Sequence, residues 1–148
     1  MSINLRGSVA IIGMGETEVG VLRGQGSTEL CAEAARLALL DAGITKAEID
    51  GLVTCNPWVE PHLYHAEMFS EYMQIFPSFC MTLNAGGATT LTAVLRAASA
   101  IVTGVCETVL ITHGDNPRSG MTGAETGAKM TTTMNPQFEL PYGVPLTN

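Results

Sequence analysis

What this sequence has least of is charge. Only 14% of its 148 residues are Asp, Glu, Lys or Arg, against about 25% in an ordinary soluble domain. A free-standing surface needs such residues for solvation, so part of this one is expected to be covered by a partner or by more protein. Basic residues are scarcer still: 7 Lys and Arg face 14 Asp and Glu, a formal net charge of -7. That balance excludes a surface built to neutralise nucleic-acid phosphates and a polybasic membrane patch. There is no C-x-x-C pair. Cys31, Cys55, Cys80 and Cys106 are spread almost evenly, which supports neither zinc ligation nor a disulfide framework. They read as reduced, buried thiols acting as small hydrophobes. No apolar run is clean enough to cross a bilayer, because the longest, residues 88–105, contains Arg96 and several Thr and Ser. The N-terminus has no basic segment followed by an apolar run and a cleavage site, so no secretory leader is expected, and the expected compartment is the reducing cytoplasm. Disorder is excluded by a hydrophobic content of 46%.

What is present alternates between two periods. The run Val-Ala-Ile-Ile at 9–12 reads as a buried strand stopping at Gly13 and Gly15. Ser27 reads as a helix cap with Glu29 in the first turn, followed by the stripe Leu30, Ala34, Leu37 and Ala38 and a terminating Gly43. Thr45 and Glu48 have capping-box spacing. Residues 51–55 read as a second strand, closed by Asn56 and Pro57. A second helix is expected from Pro61, where a missing N–H does no harm, with the stripe Tyr64, Met68, Tyr72 and Ile75. Residues 79–83 form a third expected strand. Gly86 and Gly87 lead into the longest expected helix, ending at Gly104; Arg96 is its only charge, so it is expected to be enclosed nearly all round. Residues 108–112 are the fourth expected strand. This order implies an α/β fold with a mostly parallel sheet, a buried central helix and helices on both faces. From Gly114 to the end Gly, Thr, Pro and Met dominate with no clean period, which is the composition of a lid, binding loop or linker. The chain therefore divides into an α/β unit at 1–115 and a loop region at 116–148, with a length that fits one domain or slightly more.

Three local patterns bear on chemistry. The turn Gly13-Met14-Gly15 is not a dinucleotide fingerprint: Glu18 occupies the place of the third glycine, and Glu16 would repel a pyrophosphate. Asn84-Ala85-Gly86-Gly87 enters a helix, aiming free N–H groups and a positive dipole end at one point, which suits an oxyanion or an acyl carbonyl. On local residues alone a packing turn is the better account. His113-Gly114-Asp115-Asn116 follows the fourth strand, where open α/β sheets bind ligands; His113 is a candidate acid or base. His62 and His65, three apart, have no third ligand and read as a solvated helix start. No metal site is expected.

The stretch from Thr82 through Asn84-Ala-Gly-Gly87 to Val94, then Ile101 to Gly104 and Val109 to Gly114, resembles the nucleophile helix and following strand of thiolases. The opening around Gly13–Thr17 and the segment from Gly43 to Val53 fit the same superfamily, most closely the sterol-carrier-type thiolase-like proteins. Laying Asn84 and Ala93 on the thiolase pattern Asn-x-x-Cys-x-Ser-Gly-x-x-Ala puts Gly87 where the nucleophilic cysteine stands. A glycine cannot be acylated, so ping-pong transfer through an acyl-cysteine is absent. Asn116 replaces the acidic residue that commonly follows the fourth strand. The resemblance implies two α/β halves, of which this chain supplies the first, as an N-terminal fragment or one subunit of a split enzyme.

That resemblance also implies acyl-CoA substrates, with coenzyme A entering as part of the substrate and no covalently bound cofactor. Relatives without an acylated cysteine cleave carbon–carbon bonds of β-hydroxyacyl-CoA thioesters by a retro-aldol route, including steroid side chains. Under this reading Gly87 and His113 are catalytic positions, and Asn84, Gly86, Ala88 and Asn116 bind substrate. His113 and Tyr142 are the local candidates for the base, and a residue of the second half stands ahead of either. A homodimer or a hetero-oligomer with a zinc-bearing OB-fold protein is the implied assembly. The alternatives are a structural or regulatory thiolase-like subunit and, last, ordinary thiolase acyl transfer.

Overall fold

The structure, a computed structural model, describes residues 5–122, 124–125, 135, 137–138 and 141. Its elements run α1 (Ser27–Ala42), a 3-10 turn (Lys46–Glu48), β1 (Gly51–Cys55), α2 (His65–Met73), β2 (Phe79–Leu83), a second 3-10 turn (Gly86–Ala88), α3 (Thr89–Val102), β3 (Val109–Thr112) and the single turn α4 (Pro117–Gly120). The sheet is parallel and ordered β2-β1-β3, with Gly51 beside Phe79 on one side and Val109 on the other. From β1 to β2 the chain steps one way, and from β2 to β3 it steps back over β1. Right-handed crossovers in opposite directions put α2 and α3 on opposite faces. This is the α/β arrangement expected, with helices on both faces.

One core lies between the sheet and the pair α1 and α2: Cys31, Ala35, Leu52, Ala66, Phe69 and Leu110 are buried together, closed by Ile49 and Ile75. Phe69 is wholly enclosed, so truncating it to Ala is worth about 3–5 kcal/mol. Polar pins set the register. The Thr82 hydroxyl accepts the Ala66 N–H at 2.9 Å, and the Thr112 hydroxyl donates to the Cys31 carbonyl at 3.1 Å. At the opposite edge the Asp50 carboxylate accepts the amides of Glu107 and Thr108, locking the start of β1 to β3.

Several expectations need correction. The run at 9–12 is not a strand: it has no ladder partner among the described residues, and Ile11 is 73% exposed. The segment that follows it, residues 13–15, lies against α1 instead, with the Met14 N–H donating to Asp41 Oδ2 at 2.9 Å. A Cβ at Gly13 or Gly15 would fall within 2.5 Å or 2.2 Å of the Ala38 and Ala34 carbonyl oxygens, so these glycines allow backbone-to-helix contact. This explains why Ala34 and Ala38 are only half-buried while Cys31 and Ala35 meet the sheet. Gly26, not Ser27, caps α1, and its N–H donates to Glu29 Oε2 at 2.7 Å. Helix α2 begins at His65 rather than Pro61, because residues 56–64 are held in a loop by side-chain bonds. Its buried face is His65, Ala66 and Phe69, leaving Tyr64 and Tyr72 exposed. Helix α3 has 14 residues against 16 in α1, so it is not the longest. Only its face of Thr89, Ala93, Ala97, Ala98 and Ala100 is buried; Leu91 is 79% exposed, because the described residues supply cover on the sheet side alone. No described helix is long and apolar enough to cross a membrane.

Candidate functional site

Parallel strands point all their C-terminal ends to one edge, and three loops gather there: 56–64 after β1, 84–88 after β2 and 113–116 after β3. The loop after β2 turns sharply. Gly86 has φ +56, a left-handed conformation that a side chain resists. The Thr89 hydroxyl accepts the Ala85 N–H at 2.8 Å and donates to the Gly86 carbonyl at 2.6 Å, closing the turn that starts α3. The amides of Gly86 and Gly87 have no acceptor among the described residues and stand exposed. A Cβ at Gly87 would meet nothing within 4 Å. The result is an open helix entrance with donor N–H groups and space beside them.

Across β1 lies a second group. Asp115, in the loop after β3, accepts the Trp58 N–H at 2.6 Å, the Val59 N–H at 3.2 Å and the Asn116 N–H at 3.0 Å. The Ser27 hydroxyl reaches the same carboxylate at 3.5 Å. Glu60 accepts the Ser27 N–H at 2.7 Å. Glu60 thus satisfies the first amide of α1, Asp115 takes the hydroxyl of the same residue where the helix dipole favours negative charge, and together they clamp three loops. Asn116 is buried: its amide nitrogen donates to the Gln25 carbonyl, while its Oδ1 has no partner. His113 is exposed. It lines, with Asp115, Asn116, Glu16 and Glu18, a cavity of about 330 Å³ under the segment 15–20.

The residues singled out in the sequence therefore share an edge but fall into two places. Asn84, Gly86, Gly87 and Ala88 are exposed at the start of α3, while His113 and Asn116 are beyond β3. With β1 between them, two strand spacings separate the groups, about 10 Å. A wider groove of about 830 Å³ runs along α1 past Glu29, Arg36 and Lys46, and neither cavity is lined by Gly87. Tyr142 lies outside the described residues. Among the described residues no group of three or more His, Cys, Asp or Glu can hold a metal ion.

Sequence reasoning missed two participants. Asp115 was legible only as a neighbour of His113 and Asn116, although a lone acid after a strand end in a charge-poor chain is itself a signal. His65, read as part of a solvated helix start, is fully buried, and neither ring nitrogen has a partner. Its ring stacks on Phe69 at 6.3 Å. Burial, reinforced by His62 and His113, holds its imidazole below the ordinary histidine value. Burial likewise pushes the Cys31 thiol up to about 11.

Comparison with solved structures gives this geometry its context. The Ltp2-ChsH2(DUF35) aldolase superposes with a TM-score of 0.74 at 30% identity, over 96% of this chain and 35% of that one. A monomeric SCP2-thiolase like protein from Mycobacterium smegmatis superposes with a TM-score of 0.56 at 24% identity, over 68% of this chain and 22% of that one. The fold is thiolase-like. By sequence, this thiolase-like chain is 31% identical over 147 residues to a 17-hydroxy-3-oxo-4-pregnene-20-carboxyl-CoA lyase of Mycobacterium tuberculosis, covering 95% of this chain and 37% of the relative. It is 33% identical over 119 residues to a steroid side-chain-cleaving aldolase of Thermomonospora curvata, covering 79% of this chain and 29% of the relative. The chain thus spans about a third of the length of these curated relatives. No family model matches it.

Proposed function

We propose that this chain is the first α/β half of a thiolase-like lyase that cleaves β-hydroxyacyl-CoA thioesters by a retro-aldol route, with lipid or steroid side chains as the acyl class. The observation that carries the reading is the entrance to α3. Gly87, which the motif resemblance lays on the thiolase nucleophile, offers an N–H and open space there. The names of the two curated relatives, a lyase of a hydroxylated carboxyl-CoA ester and a side-chain-cleaving aldolase, support the same reaction class.

In that reaction a base removes the proton of the β-hydroxyl and the Cα–Cβ bond breaks. The bonding pair moves to Cα and the thioester carbonyl, giving an enolate, while the β-carbon leaves as a ketone or aldehyde. Protonation at Cα then yields the shortened acyl-CoA. Such a step needs preorganised donors for the enolate oxygen, which removal experiments on other enzymes value at about 3–4 kcal/mol per donor. Gly86, Gly87 and Ala88 are the proposed donor region, with Asn84 flanking the thioester. His113 and Asn116 line the cavity across β1, where they would contact the acyl portion; the base is a residue of the second half, with His113 and Tyr142 the local candidates. The second half and a partner, of the zinc-bearing OB-fold kind or a second copy, complete the enzyme in the cytoplasm. The test is direct: the full-length protein with its natural partners should release ketone or aldehyde and shortened acyl-CoA from a β-hydroxyacyl-CoA. Acyl-enzyme formation on any cysteine during turnover would contradict the role given to Gly87.

A further inference from the structure

The start of α2 is assembled from two histidines in ways that both require the neutral ring. The His62 N–H donates to Asn56 Oδ1 at 3.1 Å, and His62 Nδ1 accepts the Tyr64 N–H at 3.2 Å. An imidazolium carries protons on both nitrogens and can accept nothing, so protonation removes the bond that fixes the residue before α2. Three residues on, His65 is fully enclosed with no acceptor for either nitrogen. A proton added there places a cation in apolar packing at the positive end of a helix dipole.

The surroundings offer no relief. Helix α2 packs on β1 and β2, whose titratable groups are the thiols of Cys55 and Cys80, and shares its core with Cys31 of α1. The loop after β3 brings His113, whose charge, like that of His62, opposes a charge on His65. The nearest loops also carry Glu60 and Asp115, but these carboxylates are engaged by Ser27 and by the amides of Trp58, Val59 and Asn116. Glu67 and Glu71, on α2 itself, are exposed. The three histidines are not a metal site. We propose that the buried His65 forms an acid-released latch: neutral, it holds loop 56–64 closed on the sheet edge, and on acidification it lets the loop open. The sign follows from the geometry. The closed loop disfavours a proton on the enclosed His65 and the open loop accepts it normally, so closure is complete above about pH 6.5 and weakens as the pH falls below it.

This regulation is independent of the chemistry assigned to Gly87, because its readout is loop opening and not turnover. Hydrogen–deuterium exchange of the natural full-length protein from pH 7.5 to 5.5, corrected for the intrinsic rate, tests it. Peptides covering 56–66 should lose protection by up to about tenfold per pH unit below about 6.5 for each proton taken up, while α3 peptides stay level. His65→Phe should remain protected at pH 5.5. Should that variant fail to fold, His62→Asn, which keeps a non-titrating acceptor at an exposed site, should lessen the loss, as should His113→Gln. Protection of 56–66 that stays within twofold across the range in the wild type overturns the proposal, as does an unchanged loss in the His62→Asn and His113→Gln variants.

Discussion

Two adjacent glycines make opposite demands, and substituting each in turn tests the geometry at the α3 entrance. Gly87 lies in the turn Gly86–Ala88 with φ outside the left-handed region and open space where a Cβ would stand. Gly87→Ala therefore costs nothing in the folded state and removes freedom from the unfolded one, a gain of about 0.4–1 kcal/mol. Gly86, at φ +56, has equal space around it but the wrong dihedral. Gly86→Ala forces an L-residue into the left-handed region at a cost of about 1–2 kcal/mol. The two variants should differ by about 1.5–3 kcal/mol, which urea denaturation of the full-length protein reads as midpoints about half a molar or more apart, on opposite sides of the wild type. Under the proposed function both should impair lyase turnover, Gly87→Ala by filling the space proposed for the thioester. Equal midpoints, or Gly87→Ala as the less stable of the two, would refute the reasoning. Gly87→Cys extends the test, since the same space admits a thiol: incubation with acyl-CoA should yield an acyl adduct by intact mass that the wild type lacks.

Asp115→Ala removes the acceptor shared by the amides of Trp58, Val59 and Asn116; a loss of about 1–3 kcal/mol is expected in chemical denaturation, with Asp115→Asn recovering only part of it. Cys31, with its thiol near 11, is about one part in ten thousand thiolate at pH 7. Iodoacetamide should therefore label Cys80, the half-buried thiol, ahead of Cys31, Cys55 and Cys106 in native protein, and peptide mapping that finds Cys31 modified first would contradict the burial described. Thr82→Val removes the acceptor of the Ala66 N–H and should cost about 1–2 kcal/mol, measured by the same denaturation.

The strands β1, β2 and β3 were legible because β-branched and apolar runs of four or five residues sit between turn residues, and the boundaries Gly51–Cys55 and Phe79–Leu83 match the sequence reading. The capping pair was equally plain: the Thr45 N–H donates to Glu48 Oε2 at 2.8 Å as its spacing implies. The run at 9–12 misled because apolar periodicity registers burial potential and not the partner; the glycines that follow it pack on α1, off the sheet. The start of α2 misled because Pro61 satisfies a helix rule while the side chains of Asn56 and His62 capture the amides of His62 and Tyr64 and hold the segment as a loop. At the site, Gly86 and Gly87 were visible from the strand–glycine–helix pattern. The clamp at Asp115 joins residues 56, 57 and 88 positions apart, a separation that no local pattern records. His65 carries the same lesson in reverse, since its burial depends on Phe69 and the strands beneath it.

The measurement that bears most directly on the account is product analysis. Full-length protein, assembled with its natural partners, is incubated with a β-hydroxyacyl-CoA carrying a hydroxylated side chain, and the mixture is separated by mass. The account predicts equimolar ketone or aldehyde and shortened acyl-CoA, with every cysteine of the protein unmodified. Intact substrate after prolonged incubation of the full assembly, or a cysteine-bound acyl group that turns over, would contradict it.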